Sequence, residues 1–263
     1  MARFDLVIFD CDGVVVDSER VVFEVFGSFI RSLGVHLSDA ETHEQFLGRT
    51  LAECMKIVER LSGKPAPPGA LERYMADRDR VLRERVEPVK GIRDVLETLT
   101  IPYCIASSGG YDKMGVTLGA TKLMPFFEGR LFSATEVKRG KPAPDIFLFA
   151  AERMGASPAR TAVVEDSVNG VRAGFAAGMT VFGYVDLTAP AKLIEAGAVR
   201  TFDDMRELPA LLAYPLASCE VLARSTIAAE RERPMTVRNG LAYVRAHAAA
   251  QAAAAKEEVR HKG

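Results

Sequence analysis

Short apolar, β-branched runs alternate along this chain with stretches whose apolar residues recur every three or four positions. The runs DLVIFD (5–10), PYCIAS (102–107), RLFSA (130–134), TAVVED (161–166) and TVFGYV (180–185) read as strands. They are nearly continuous in apolar character, as strands buried on both faces are. Between them, 145–155 and 169–178 read as helices, each closed by glycine, the usual C-terminal stop. Ser157-Pro158 opens one further short helical turn. Strand–helix alternation of this kind predicts an α/β fold, a parallel sheet with helices on both faces.

Two segments break the rhythm. From about 18 to 87 the pattern is helical throughout. Val22, Phe23, Phe26, Phe29, Ile30 and Leu33 fall at helical spacing, Ser38 with Glu41 forms a capping box, and GKPAPPG (63–69) separates a last, charged helix. The reading is an all-helical domain, 18–87, inserted into a core made of 1–17 and 88–215, with hinges near Val16–Ser18 and Pro88–Gly91. Beyond 216 an Ala-rich extension has strong helical propensity and no evident chemistry.

Composition narrows the class. A chain of 263 residues, 48% hydrophobic and 26% charged, can bury a large core plus a smaller domain. A formal net charge of -1 argues against nucleic acid or an anionic membrane surface as partner. No run approaches the length of a membrane span. Cys11, Cys54, Cys104 and Cys219 lack metal or redox spacing, and the N-terminus lacks a secretory pattern, so a cytoplasmic protein with reduced thiols is expected. The histidines are scattered without ligand spacing.

The candidate chemistry sits at strand ends, where open parallel sheets bind ligands. The first strand runs into Asp10 and Asp12, two carboxylates that would repel each other unless a cation lies between them. Mg²⁺, a hard dication preferring oxygen, is the expected partner. Glu165 and Asp166 end another strand, Ser107 a third, and Lys141 lies in a Gly/Pro-rich loop before a helix. Carboxylates, a hydroxyl and a lysine from four strand ends make a site for metal plus phosphate. Cys11, between the aspartates, should point away as small buried filler.

In order and spacing, DCDGVVVDSE (10–19), Ser107, Lys141 and EDSVNG (165–170) resemble the haloacid dehalogenase-like (HAD) superfamily. The resemblance spans residue 4 to about 215 and implies a Rossmann-like core with a helical cap inserted after the first motif. It further implies a phosphoaspartate mechanism, with Asp10 as nucleophile and Asp12 as general acid/base. Ser107 and Lys141 would hold the phosphoryl group, and Asp10, the Asp12 carbonyl and Asp166 would hold Mg²⁺, with Glu165 as a further ligand or neighbour. Ser108 and Gly109 would line the phosphate loop, where Gly109 and Gly110 leave bare amides. In the cap, GRT at 48–50 matches a substrate-facing loop, which nominates Arg49 and Thr50. Glu19 is a substrate candidate at the cap entrance, where Asp17-Ser18-Glu19 also reads as a helix cap. Arg73, Arg78, Arg80 and Arg83 share the charged cap helix, and periodicity singles none of them out for the substrate.

Asp12 counts against the dehalogenase and phosphonatase branches, which replace it. The β-phosphoglucomutase branch shares DGVxxDS and KPAPDIF but has a histidine and an arginine where this chain has Val22 and Leu51. A Mg²⁺-dependent phosphatase acting on a small sugar, polyol or sugar-acid monophosphate is therefore expected. A sugar phosphomutase is the alternative, and a non-catalytic phosphosugar-binding protein a second. The partner would be a small phosphorylated metabolite, the protein a monomer or small homo-oligomer.

Overall fold

The computed structural model describes residues 3–46 and 49–213. Gly48, Cys219, His247, His261 and the Ala-rich extension lie outside the described residues.

The elements run β1 (Leu6–Phe9), β2 (Val16–Asp17), α1 (Glu19–Ser32), α2 (Asp39–Phe46), α3 (Leu51–Ser62), α4 (Ala70–Arg85) and β3 (Glu87–Pro88). They continue with α5 (Ile92–Thr98), β4 (Tyr103–Ser107), α6 (Tyr111–Ala120), β5 (Leu131–Ser133), α7 (Asp145–Arg153) and β6 (Thr161–Glu165). The last are α8 (Val168–Ala176), β7 (Thr180–Tyr184), α9 (Pro190–Ala196), β8 (Arg200–Phe202) and α10 (Leu208–Ala213). Six strands form one sheet in the order β5-β4-β1-β6-β7-β8, every neighbouring pair parallel. The chain builds outward from β1 to β4 and β5, then crosses back to place β6 on the other side of β1. The order thus reverses at β1.

Why the strands lack polar alternation is visible in their contacts. Val7, Phe9, Ile105 and Val164 enter one core, while Leu6, Ile8, Cys104 and Val163 enter a second on the opposite face. Successive side chains point to opposite faces, so burial on both sides requires apolar residues throughout. Phe9, Phe127 and Phe147 are fully buried, each worth about 1.5–3 kcal/mol relative to exposure. Cys11 is buried in the first of these cores.

Helices α1 to α4 enclose a separate core of Phe26, Ile30, Phe46, Val58 and Tyr74. Phe26 stacks edge-on against Phe46 and Tyr74 at centroid distances of 5.0 and 5.5 Å. The Ser38–Glu41 box forms, with Ser38 N–H donating to Glu41 at 2.8 Å and Glu41 N–H to Ser38 Oγ at 3.3 Å. The two chain crossings between this helical unit and the sheet, read from the sequence as hinges, pair as a two-residue antiparallel ribbon, Val16 with Pro88 and Asp17 with Glu87. Both this ribbon and β8 are absent from the apolar pattern. Two or three residues, including Asp17, Glu87, Arg200 and Thr201, are too short and polar to register.

Candidate active site

The carboxyl ends of β4, β1 and β6, three adjacent strands, carry Ser107, Asp10 and Glu165-Asp166. Asp10 donates its backbone N–H to Val164 O at 3.0 Å, so it leaves the sheet still registered to β6. The turn that follows is tight: Cys11 O accepts from Val15 and Val16, and Gly13 N–H returns to Val16 O at 2.8 Å. Gly13 has φ +79°, and a Cβ there would lie 2.1 Å from Asp166 Oδ2. Only glycine satisfies both the conformation and the close approach.

Lys141 ties three of these strand ends together. Its ammonium donates to Asp10 Oδ1 at 2.5 Å, to Glu165 Oε1 at 2.7 Å and to Ala106 O at 3.1 Å. All three hydrogens are therefore used. Burial opposes its charge, yet Asp10 and Glu165 outweigh burial and raise the lysine above its usual range. Glu165 Oε2 accepts from the N–H and hydroxyl of Ser167, both at 2.9 Å. Both oxygens of Glu165 thus accept hydrogen bonds, and through them it mounts Lys141.

Asp12 has its own cation. Lys113, in the first turn of α6, reaches Asp12 Oδ1 at 2.7 Å, and the buried Ser18 hydroxyl donates to the same oxygen at 2.5 Å. Burial pushes the Asp12 carboxyl up, but Lys113 and Ser18 together bring it below its ordinary value. Neither partner follows from the motifs. Ser18, read as a helix cap, makes no cap bond. Lys113 carries one sequence signal: a cation in the first helical turn opposes the helix dipole and needs a compensating partner.

Three carboxyls shift the other way. Burial first, then repulsion from neighbouring carboxylates, raises Asp10 to about 7, Glu19 to about 8 and Asp166 well above its usual range. For Asp10 this holds although Lys141 pulls the other way. No Lys or Arg pairs with Asp166 among the described residues. Five carboxyl groups face two ammonium groups, an excess of negative charge that a cation would relieve. The groups that could hold it are Asp10, Asp166 and the backbone carbonyl of Asp12. Among the described residues no three metal-binding side chains converge. Two carboxylates and a carbonyl suit Mg²⁺, which keeps several waters.

Ser107 is buried and its Oγ accepts from Gly109 N–H at 2.9 Å, which leaves the hydroxyl proton to donate outward. Gly109 is pinned by Ser133 Oγ on its carbonyl at 2.8 Å. A Cβ on Gly109 would lie 3.3 Å from Ser107 Oγ and 3.7 Å from Asp12 Oδ2, so the loop lies against the aspartates. Ser108 is exposed beside it. Arg49 and Thr50 join none of this. Arg49 is exposed and donates to Gln45 O at 2.8 Å, and Thr50 caps α3 through a capping box with Glu53. The hydrogen bonds that these two residues make are local to the helix ends on which they lie. A groove of about 740 Å³ between α4 and α6 contains none of the strand-end groups.

The arrangement can present one carboxylate to an electrophile, a second to a proton and a set of donors to an anion. Comparison with known proteins agrees with that chemistry. A model of haloacid dehalogenase-like hydrolases matches residues 4–178. The chain is 32% identical over 212 residues to 6-phosphogluconate phosphatase of Escherichia coli, covering 80% of this chain and 96% of that one. It is 32% identical over 201 residues to a phosphorylated carbohydrates phosphatase of Thermotoga maritima, covering 74% and 92%. A solved haloacid dehalogenase-like protein of Agrobacterium tumefaciens superposes with a TM-score of 0.71 at 37% identity, covering 80% and 98%. With the motifs, the strand order and these matches in agreement, the chain belongs to the haloacid dehalogenase-like hydrolase family.

Proposed function

We propose that this enzyme is a phosphatase that hydrolyses a small sugar, polyol or sugar-acid monophosphate through a phosphoaspartate on Asp10. The observation that carries the reading is the separate pairing of the two aspartates, Asp10 with Lys141 and Asp12 with Lys113. Two carboxylates in one site can take different roles when their surroundings differ. The two curated relatives above are named for phosphatase activity on phosphorylated carbohydrates.

Asp10 attacks phosphorus, and the bond from phosphorus to the substrate oxygen breaks. Asp12 takes up a proton as the phosphate dianion enters and gives it to the departing oxygen, and Lys113 and Ser18 hold the carboxylate left behind. Asp12 then takes a proton from water as that water attacks the phosphoaspartate, which releases phosphate and restores Asp10. Ser107 and the amide at Ser108 bind phosphoryl oxygens. Lys141 favours the ionised form of Asp10, Glu165 fixes Lys141, and Ser167 fixes Glu165. Mg²⁺, held by Asp10, Asp166 and the Asp12 carbonyl, would neutralise charge between the nucleophile and the phosphoryl group.

The test is release of phosphate from p-nitrophenyl phosphate with Mg²⁺ by the wild type and by Asp10→Asn. Turnover by the wild type alone supports the assignment; equal turnover by both removes Asp10 from it. Incubation with glucose 1-phosphate separates hydrolysis, which frees phosphate, from mutase action, which yields the 6-phosphate.

A further inference from the structure

Strand β5 ends on a residue that bonds to none of the reacting groups, yet is tied to the loop that does. Ser133 is fully buried and stands in register with Ser107 of the neighbouring strand β4. Its hydroxyl donates to Gly109 O at 2.8 Å, 24 positions away. Gly109 in turn donates its N–H to Ser107 Oγ at 2.9 Å. Ser133 Oγ also accepts from the N–H and the hydroxyl of Thr135, at 3.2 and 3.0 Å. Both of its lone pairs and its one proton are thus committed, the proton to the Gly109 carbonyl.

We propose that Ser133 is a positioning residue of the phosphoryl site. By holding the Gly109 carbonyl it keeps the Gly109 N–H on Ser107, and so turns the Ser107 proton towards the phosphoryl oxygens. The inference rests on the phosphatase reading above and adds a residue to it.

The loop needs a hold from outside. After Ser107 the chain runs Ser108-Gly109-Gly110 into α6, and glycine loses more backbone freedom on ordering than any other residue. Neither glycine has a side chain to pack the loop in place, so the backbone groups of Gly109 fix it, one on Ser107 and the other on Ser133. A bond at one of them alone would leave the next peptide free to rotate. With the Gly109 N–H on Ser107 Oγ, the serine proton must point elsewhere, which makes it a donor for an incoming anion. Burial of both serines strengthens these bonds, because water does not compete for either hydroxyl. A second tie backs the first. Glu136 accepts from Ser133 N–H at 3.3 Å and from the Tyr111 hydroxyl, so the end of β5 also holds the first residue of α6. The loop is therefore gripped on both sides of Gly110. None of the hydrogen bonds of Ser133 goes to Asp10, Asp12 or Lys141 among the described residues, so its effect passes through the loop.

The experiment measures inhibition of p-nitrophenyl phosphate hydrolysis by inorganic phosphate, with Mg²⁺ present. It compares the wild type, Ser133→Ala, Ser107→Ala and the double variant. Ser133→Ala should raise the phosphate Ki by about 3- to 10-fold and lower kcat/KM by a similar factor, the scale of one hydrogen bond. A merely structural role would reduce the active fraction, and with it the apparent kcat, while leaving Ki unmoved. Because Ser133 acts through Ser107, its loss should change Ki by less than about twofold in the Ser107→Ala background. If Ser133→Ala does not fold, Ser133→Cys, close in size and a poorer donor, takes its place in the same cycle. An unchanged Ki in the single variant, or additive effects of the two substitutions, overturns the inference and leaves the phosphatase reading intact. No hydrolysis by the wild type overturns the phosphatase reading itself.

Discussion

The Asp10 carboxylate and the Lys141 ammonium, 131 positions apart in the chain, meet at 2.5 Å, and the same ammonium holds Glu165. Lys141 is 5% exposed, so removing it strands two carboxylates in a dry cleft. Lys141→Met is expected to lose turnover by at least about a thousandfold, because both the ionised nucleophile and its mount are disturbed. It should also cost about 3–5 kcal/mol of stability, the scale for stripping one partner from a buried pair. Phosphate release and urea denaturation measure the two effects, and a variant with wild-type stability would contradict the buried pairing.

Ser18 tests the proton-handling role of Asp12 without touching Asp12 itself. Its hydroxyl donates to the ionised carboxylate, and losing such a donor raises the pKa of the acceptor. In Ser18→Ala the acid limb of the pH–rate profile should therefore move to higher pH, with kcat lowered by about tenfold. An unchanged profile would show that Asp12 does not govern that limb. Asp12→Ala is expected to slow turnover by about two to four orders of magnitude.

Gly170 lies one turn into α8, and a Cβ there would sit 1.7 Å from Glu165 Oε1. Glu165 has little freedom to yield, since Lys141 and Ser167 both hold it. Alanine ordinarily gains about 1 kcal/mol over glycine within a helix. Here overpacking should reverse the sign and give a net loss of about 1–3 kcal/mol with reduced kcat. Urea titration of Gly170→Ala decides it; a stabilised variant would mean that Glu165 is not fixed where it is described.

Three carboxyls of the site set a pH dependence. Asp10 at about 7, Glu19 at about 8 and Asp166 well above its ordinary value bind protons more tightly folded than unfolded. Their contribution to stability is fully present below the unfolded values near 4 and is lost as pH rises through about 7 to 8. Metal-free protein should therefore lose Tm between pH 5.5 and 8. Mg²⁺ should restore it at pH 8 by about 2–4 °C per kcal/mol of relieved repulsion, and by less at pH 5.5. A Mg²⁺ shift equal at both pH values would count against a cation among these carboxylates. Activity should disappear on chelation and return with added Mg²⁺.

Sequence alone determined the sheet, its helical insertion and the strand-end residues Asp10, Asp12, Ser107, Lys141, Glu165 and Asp166. The physical reason is that strand burial and turn chemistry are local: β1 must be apolar throughout because both of its faces are covered, and its polar end is where pairing stops. What Asp12 rests against was decided by tertiary structure. Lys113 meets it because β4 lies beside β1 and α6 leaves β4 with one particular rotation, and no local pattern encodes that rotation. For the same reason Ser133 read only as the polar end of a short strand until β5 paired with β4 and set its hydroxyl on Gly109. The ribbon of β2 with β3 likewise exists because two distant crossings are brought side by side. Arg49 and Thr50 show the converse, since the bonds they make are local to helix ends and follow from neighbouring residues such as Glu53.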